Sequence, residues 1–180
     1  MQILVGSMNL KKFMYEKITG RQAPYYFDYS IGTIIMKPIR KYLVNVIAAH
    51  SPFNCVRIFI YRMCGFKIGK NVFIGMRCYL DDMCYDLMTV GNNVTISYGV
   101  FFASHGKNQG HLPIVIEDGA YIGMRATIIT KSKDENGITI GKNAIIGACA
   151  LVNKSIPAGM TAVGVPCKII EPTEKNTEQK

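Results

Sequence analysis

Residues 68–85 read IGKNVF, IGMRCY, LDDMCY; residues 90–107 read VGNNVT, ISYGVF, FASHGK; residues 116–133 read IEDGAY, IGMRAT, IITKSK; and residues 140–157 read IGKNAI, IGACAL, VNKSIP. Each of these six-residue words begins with an apolar residue, from Ile68, Ile74 and Leu80 to Ile140, Ile146 and Val152. The second letter is usually small, most often Gly, and the fifth is mostly small or apolar, as at Val72, Cys78, Val94, Ala120 and Ala144. Neither a helical period of 3.6 nor the alternation of an ordinary strand produces that pattern. A period of six belongs to a parallel β-helix, in which every word supplies one short strand and one corner. Three words close a triangular coil, and the leading aliphatics point into the prism where coils stack. Gly at the second place is expected to provide a backbone conformation that side chains resist. Four groups of three words make about four coils, a prism roughly 20 Å tall at ~4.8 Å per coil.

Short insertions break the register at 86–89, 108–115 and 134–139. A β-helix sheds such insertions as corner loops, and loops of this kind commonly carry function. The longest, NQGHLPIV, directly follows the word FASHGK, so His105 stands at the base of the largest loop.

With 180 residues and an apolar fraction of 49%, the chain can fill the core of one domain with an appended segment. Six Cys show no CxxC pair and no Cys/His metal spacing, so buried reduced thiols of a cytoplasmic protein are expected. The first residues, MQILVGSMNLKKF, lack the pattern of a signal peptide, and no apolar run approaches the ~18 residues that span a membrane. The net charge of +9 is spread over scattered basic residues without interleaved aromatics, which argues against nucleic acid. It suits a phosphate-bearing cofactor, a phosphorylated sugar carrier or an acidic membrane face, and simple solubility accounts for it equally well.

Ahead of the repeat, residues 1–35 have no sustained period and are expected to be irregular with one short helix. Pro38 fits the first turn of a helix through IRKYLVNVIAAH, with Ile39, Leu43, Val46 and Ile47 on one face. Ser51 and Pro52 fit the cap and first turn of a second helix ending near Gly65, with Val56, Phe59, Ile60 and Met63 apolar and Arg57 and Arg62 elsewhere. Such helices are expected to cap the open end of the β-helix; lying on the inner face of a membrane is the alternative. The expected organisation is a helical or irregular front over 1–66, the β-helix over 67–170 and a polar tail over 171–180.

Together the words, the loop after a His, and the closing phrase IPAGMTAVGVPCKII resemble the left-handed β-helix O-acyltransferases. The coil and tail are similar to the galactoside and maltose acetyltransferase group. The front, from about Tyr42 to Asp82, is similar to O-acetyltransferases of capsular, colanic-acid and other surface polysaccharides. The likeness covers roughly residues 42–171 and is most specific at NNVTIS (92–97), PIVIEDGAYIG (113–123) and GVPCK (164–168). It implies an all-β, left-handed parallel β-helix with an α-helical N-terminal segment, assembled as a homotrimer that binds acetyl-CoA and a sugar or glycan acceptor. Carbonic-anhydrase-like relatives need three metal-binding His; here one of the three, His50, falls in the helical front, so no metal is expected.

In that family a His at the end of a coil strand deprotonates the acceptor hydroxyl, which attacks the thioester; His105 in FFASH matches it. An imidazole is the usual base for a sugar hydroxyl, and no acyl-enzyme is needed. Asp81 and Asp82, one coil earlier, match acidic or amide groups facing the acceptor, although a solvated corner fits them nearly as well, and His111 is expected to shape the acceptor pocket. For CoA the resemblance carries over Ala148, Asn153, Lys154 and Lys168, with Met124 where a small residue is common. Asn153 replaces a hydroxyl residue and Glu171 a second basic residue; Lys131 and Lys133 stand nearby in an unusual insertion. Transfer to a small non-polysaccharide acceptor and a non-catalytic hexapeptide scaffold remain open.

Overall fold

A computed structural model describes residues 10–22, 31–105, 111–130 and 136–171. The chain divides into two compact units, residues 1–39 and 40–180. The first contains α1 (Leu10–Thr19), the one short helix expected there, with Phe13, Met14 and Ile18 exposed on it. Helix α2 (Ile31–Tyr42) begins seven residues before Pro38, so Pro38 lies inside a helix and not at its first turn.

In the larger unit the helix continues through a wide π-helical turn, Leu43–Ala48. The wide turn moves the inward face to Val44, Ala48 and Ala49; of the expected face, Leu43 packs partly buried against the core, while Ile39, Val46 and Ile47 are exposed. Helix α3 (Asn54–Met63) has Phe53 at its N-cap with no side-chain cap, so Ser51 and Pro52 lie ahead of the helix. Its inward residues are Arg57, Ile58, Ile60 and Tyr61; Val56, Phe59 and Met63, expected inside, are exposed.

The reason lies in the first coil, whose strands have no preceding coil to pair with. Buried Arg57 donates through Nε to the Ile74 carbonyl at 2.7 Å and through Nη1 to the Ser51 carbonyl at 2.6 Å. The Asn54 amide donates to the Val72 carbonyl and accepts from the Ile74 N–H, both at 3.0 Å, as a neighbouring strand would. Arg62 reaches the carbonyls of Ile68 and Gly69. Polar side chains turn inward here because exposed strand edges need partners.

The coil follows the words. Strands β1 (Lys67–Ile68), β2 (Phe73–Ile74), β3 (Met88–Val90), β4 (Thr95–Ile96), β5 (Phe101–Ala103), β6 (Ile114–Ile116), β7 (Tyr121–Ile122), β8 (Thr127–Ile129), β9 (Ile138–Ile140), β10 (Ile145–Ile146) and β11 (Leu151–Val152) wind around three parallel faces. Face A stacks β1-β3-β6-β9; face B stacks β2-β4-β7-β10; face C stacks β5-β8-β11, with Tyr79 bridging to Phe101 as its first rung. A partial fifth coil follows: Ile156 pairs with Ile140, β12 (Thr161–Val163) joins face B, and antiparallel β13 (Lys168–Ile170) closes the edge. Strands β3, β6 and β9 start two residues before their leading apolar residue, so part of each insertion is strand rather than loop.

Every leading residue after Ile68 is buried in one continuous core, together with the fifth-place Val72, Cys78, Val94, Val100, Ala120, Ala126, Ala144 and Ala150. The second-place glycines differ from expectation. The left-handed backbone falls on the fourth letter instead, at Asn71, Arg77, Asn93, Gly99, Gly119, Arg125, Asn143 and Cys149. At the second letter the constraint is contact: a Cβ on Gly75 or Gly123 would lie 2.6 Å from the backbone nitrogen of Tyr98 or Ala148 in the next coil. Of the six cysteines, Cys64, Cys78, Cys84 and Cys167 are buried, whereas Cys55 and Cys149 are exposed.

Candidate active site

His105 follows β5, where the chain leaves face C toward face A. Asp81 occupies the same corner one coil earlier, and its Oδ2 is 2.5 Å from His105 Nδ1. Asp81 is 1% exposed, while the imidazole is 33% exposed. Two backbone amides hold the carboxylate: Ser104 N–H donates to Oδ2 at 2.9 Å and Met83 N–H to Oδ1 at 3.2 Å. With Nδ1–H directed at Asp81, the lone pair of His105 lies on Nε2. A fixed carboxylate thus sets the tautomer of a ring whose other nitrogen is available for proton transfer.

Asp82 turns the other way: its Oδ1 accepts from Asn45 Nδ2, on the π-helical turn, at 2.8 Å. A tight 3-10 turn over Asp82–Leu87 separates the two carboxylates and brings Cys84 under the site. Asp81, Cys84 and His105 each place a ligand atom within 4.8 Å of the others. Burial, then the charges of Asp81 and Asp86, push the Cys84 thiol up to about 12. Sequence reading missed Cys84 as a neighbour of His105; its only signal was its place in the same word as Asp81 and Asp82. His111 is exposed, with its ring centroid 6.4 Å from that of His105. The Leu112 N–H donates to the Ser104 carbonyl and ties the far end of the loop to its base.

The residues matched to CoA separate into two groups. Met124 and Ala148 stack in adjacent coils at the corner between faces B and C, where Cys149 N–H donates to the Met124 carbonyl at 2.9 Å. Asn153 and Lys154 follow β11 at the corner between faces C and A, the edge that carries His105 two coils earlier. Lys168 is exposed on β13, paired with Val163 at the edge of face B, while the preceding turn meets the end of face C, where Cys167 N–H donates to the Leu151 carbonyl. One chain therefore puts His105, Asn153 and Lys154 on one edge of face C and Met124 and Ala148 on the other. Lys131 and Lys133 lie outside the described residues.

A family profile described as "Hexapeptide repeat of succinyl-transferase" matches residues 66–101 and 113–154. The chain is similar to the galactoside O-acetyltransferase of Escherichia coli K12, 30% identical over 173 residues, covering 86% of this chain and 78% of that protein. It is also similar to a serine acetyltransferase of Bacillus licheniformis, 35% identical over 108 residues; there it covers 59% of this chain and spans only 45% of the relative's length. Among solved structures, a galactoside acetyltransferase in complex with coenzyme A superposes with a TM-score of 0.60 at 22% identity, over 84% of this chain and 88% of that one. At that identity the superposition speaks to the fold: a left-handed parallel β-helix.

Proposed function

Since the chain is a member of the hexapeptide-repeat acetyltransferase family, we propose that it transfers the acetyl group of acetyl-CoA to a hydroxyl of a sugar or glycan, in the building of a surface or capsular polysaccharide. The observation that carries this reading is the buried Asp81 carboxylate fixing His105 Nδ1. His105 Nε2 takes the proton of the acceptor hydroxyl as its oxygen bonds to the thioester carbonyl carbon. The tetrahedral intermediate collapses, the C–S bond breaks, and the CoA thiolate takes the proton back from Nε2. The enzyme returns to its starting state without a covalent intermediate on any cysteine.

Small Ala148 lets the pantetheine arm approach the coil backbone, Met124 and Asn153 flank it, and Lys154 and Lys168 meet the phosphates. The division of these residues between two edges of face C supports a site completed by a second subunit, hence a homotrimer with one site at each interface. The outward residues of face B support it too: Phe73, Tyr121 and Ile145 fall in one in-register column and are 44–47% exposed. His111 shapes the acceptor pocket. Within the larger unit, residues 40–66 cap the first coil and 67–170 form the acyltransferase domain, with the polar tail from 171. No helix among the described residues is long and apolar enough to cross a membrane. The exposed Phe53, Val56, Phe59 and Met63 support peripheral contact of the front helices with the inner face of a membrane.

The test is a screen of sugars, nucleotide-linked sugars and lipid-linked sugars for acceptor-dependent release of CoA thiol from acetyl-CoA. A sugar acceptor with saturable kinetics is expected. The similarity to serine acetyltransferase favours including serine as a second reading. Release with serine and with no sugar would overturn the glycan assignment, and no release with any acceptor would favour a non-catalytic scaffold.

A further inference from the structure

We propose that the corner around His105 is a zinc-binding site, with Asp81, Cys84 and His105 as ligands, through which the ion reversibly switches the enzyme off. The donor set is a carboxylate, a thiol and an imidazole, the mixed O, S, N ligation that zinc accepts with water in the fourth position. All three ligand atoms lie within 4.8 Å of one another, two from adjacent coils and Cys84 from the 3-10 turn that follows Asp81. Bonds of about 2.0–2.3 Å need donor separations of roughly 3.3–3.8 Å. The 2.5 Å Asp81–His105 contact must therefore open slightly and Cys84 move in slightly.

The electrostatics favour a cation. Asp81 at the N-cap of the 3-10 turn Asp82–Leu87, with Asp82 and Asp86 inside it, puts the field of three carboxylates on the turn that carries Cys84. The same field attracts a divalent ion. Among the described residues, the only ion pair made by these carboxylates is that of Asp81 with His105. Ser104 fixes one ligand from the backbone: its N–H holds Asp81 Oδ2 at 2.9 Å.

The inhibition follows from the tautomer. As a base, His105 carries its proton on Nδ1, toward Asp81, and its lone pair on Nε2. As a ligand through Nδ1, it must carry the proton on Nε2. Zinc therefore replaces the Asp81–His105 hydrogen bond, expels the Cys84 thiol proton to solvent, and leaves an imidazole that cannot accept a proton from the acceptor. Binding stands on the geometry alone, whereas inhibition rests on the proposed role of His105.

The experiment titrates the full-length protein with Co(II), following thiolate-to-cobalt charge transfer, and with Zn(II) by calorimetry. One ion per chain and a charge-transfer band are expected in the parent. The band should vanish in Cys84→Ala, and zinc affinity should fall at least about tenfold in Cys84→Ala and in His105→Ala, since loss of even an outer partner costs about 10–100-fold. His105→Ala carries the affinity test if Cys84→Ala does not fold by circular dichroism. No band in the parent, or an equal band and affinity in the variants from the exposed Cys55 or Cys149, would overturn the site. In the thiol-release assay zinc should stop turnover and a chelator restore it; binding without inhibition overturns the switch. If the parent transfers acetyl to nothing, the absorption titration still decides binding.

Discussion

Asp81 is almost inaccessible to water, yet its carboxylate is met by two backbone amides and by His105 Nδ1. In the proposed mechanism Asp81 is a positioning residue, one that acts through the imidazole. Asp81→Asn should lower kcat by about 10²-fold or more while moving acceptor KM much less, because an amide can donate to Nδ1 and select the wrong tautomer. Asp82→Asn should stay within about threefold, since Asp82 is already bonded to Asn45. Steady-state kinetics of the pair checks both outcomes, and equal losses would mean that both carboxylates serve the site. The His at a strand end and the Asp-Asp pair one coil earlier were legible from the repeat, because stacking turns sequence distance into adjacency. Which Asp faces His105 was not. That choice is made by the backbone at Asp81, φ −62 and ψ 98, followed at once by a tight turn. The same turn carries Cys84 beneath the imidazole, a closeness that no residue pattern records.

The strands obey the six-residue period because each leading side chain has one place to go, the inside of the prism. That rule is local and repeated, so nearly all of the coil could be read in advance. The helices obey a different demand. Apolar periodicity assigned Val56, Phe59 and Met63 to the inside of α3, but the neighbour of that helix is a strand edge rich in unpaired carbonyls. The edge selects Arg57 and Asn54; Ile60 stays inside as expected, while Val56, Phe59 and Met63 turn outward. Period counting weighs burial of apolar surface and omits hydrogen-bond demand, so it chose the wrong face. Arg57→Met should therefore destabilise the protein despite similar volume, by about 2–4 kcal/mol, because carbonyls buried under α3 lose their donors. Thermal or urea unfolding checks it. A change under about 0.5 kcal/mol, the size of an ordinary surface substitution, would mean that water replaces Arg57 at the edge.

For the whole molecule, the prism is short and has an apolar column on face B, with matched donor-binding residues on both edges of face C. Sedimentation at micromolar concentration should give a trimer, and Tyr121→Lys combined with Ile145→Glu should give monomers that retain β-structure but lose turnover. A parent that sediments as a monomer would contradict the shared site. Lys168 lies exposed on β13, the antiparallel strand that closes face B. In the proposed site it meets the CoA phosphates, so Lys168→Glu should raise KM for acetyl-CoA far more than for the acceptor. That effect should shrink as salt rises; equal loss for both substrates would make the tail merely structural. The most direct measurement compares parent and His105→Ala in acetyl-CoA-dependent thiol release, beside acetyl-CoA affinity and sedimentation of both proteins. If His105 is the base, kcat falls by about 10²–10⁴-fold with donor affinity and assembly unchanged. A His105→Ala enzyme within a fewfold of the parent would contradict that role.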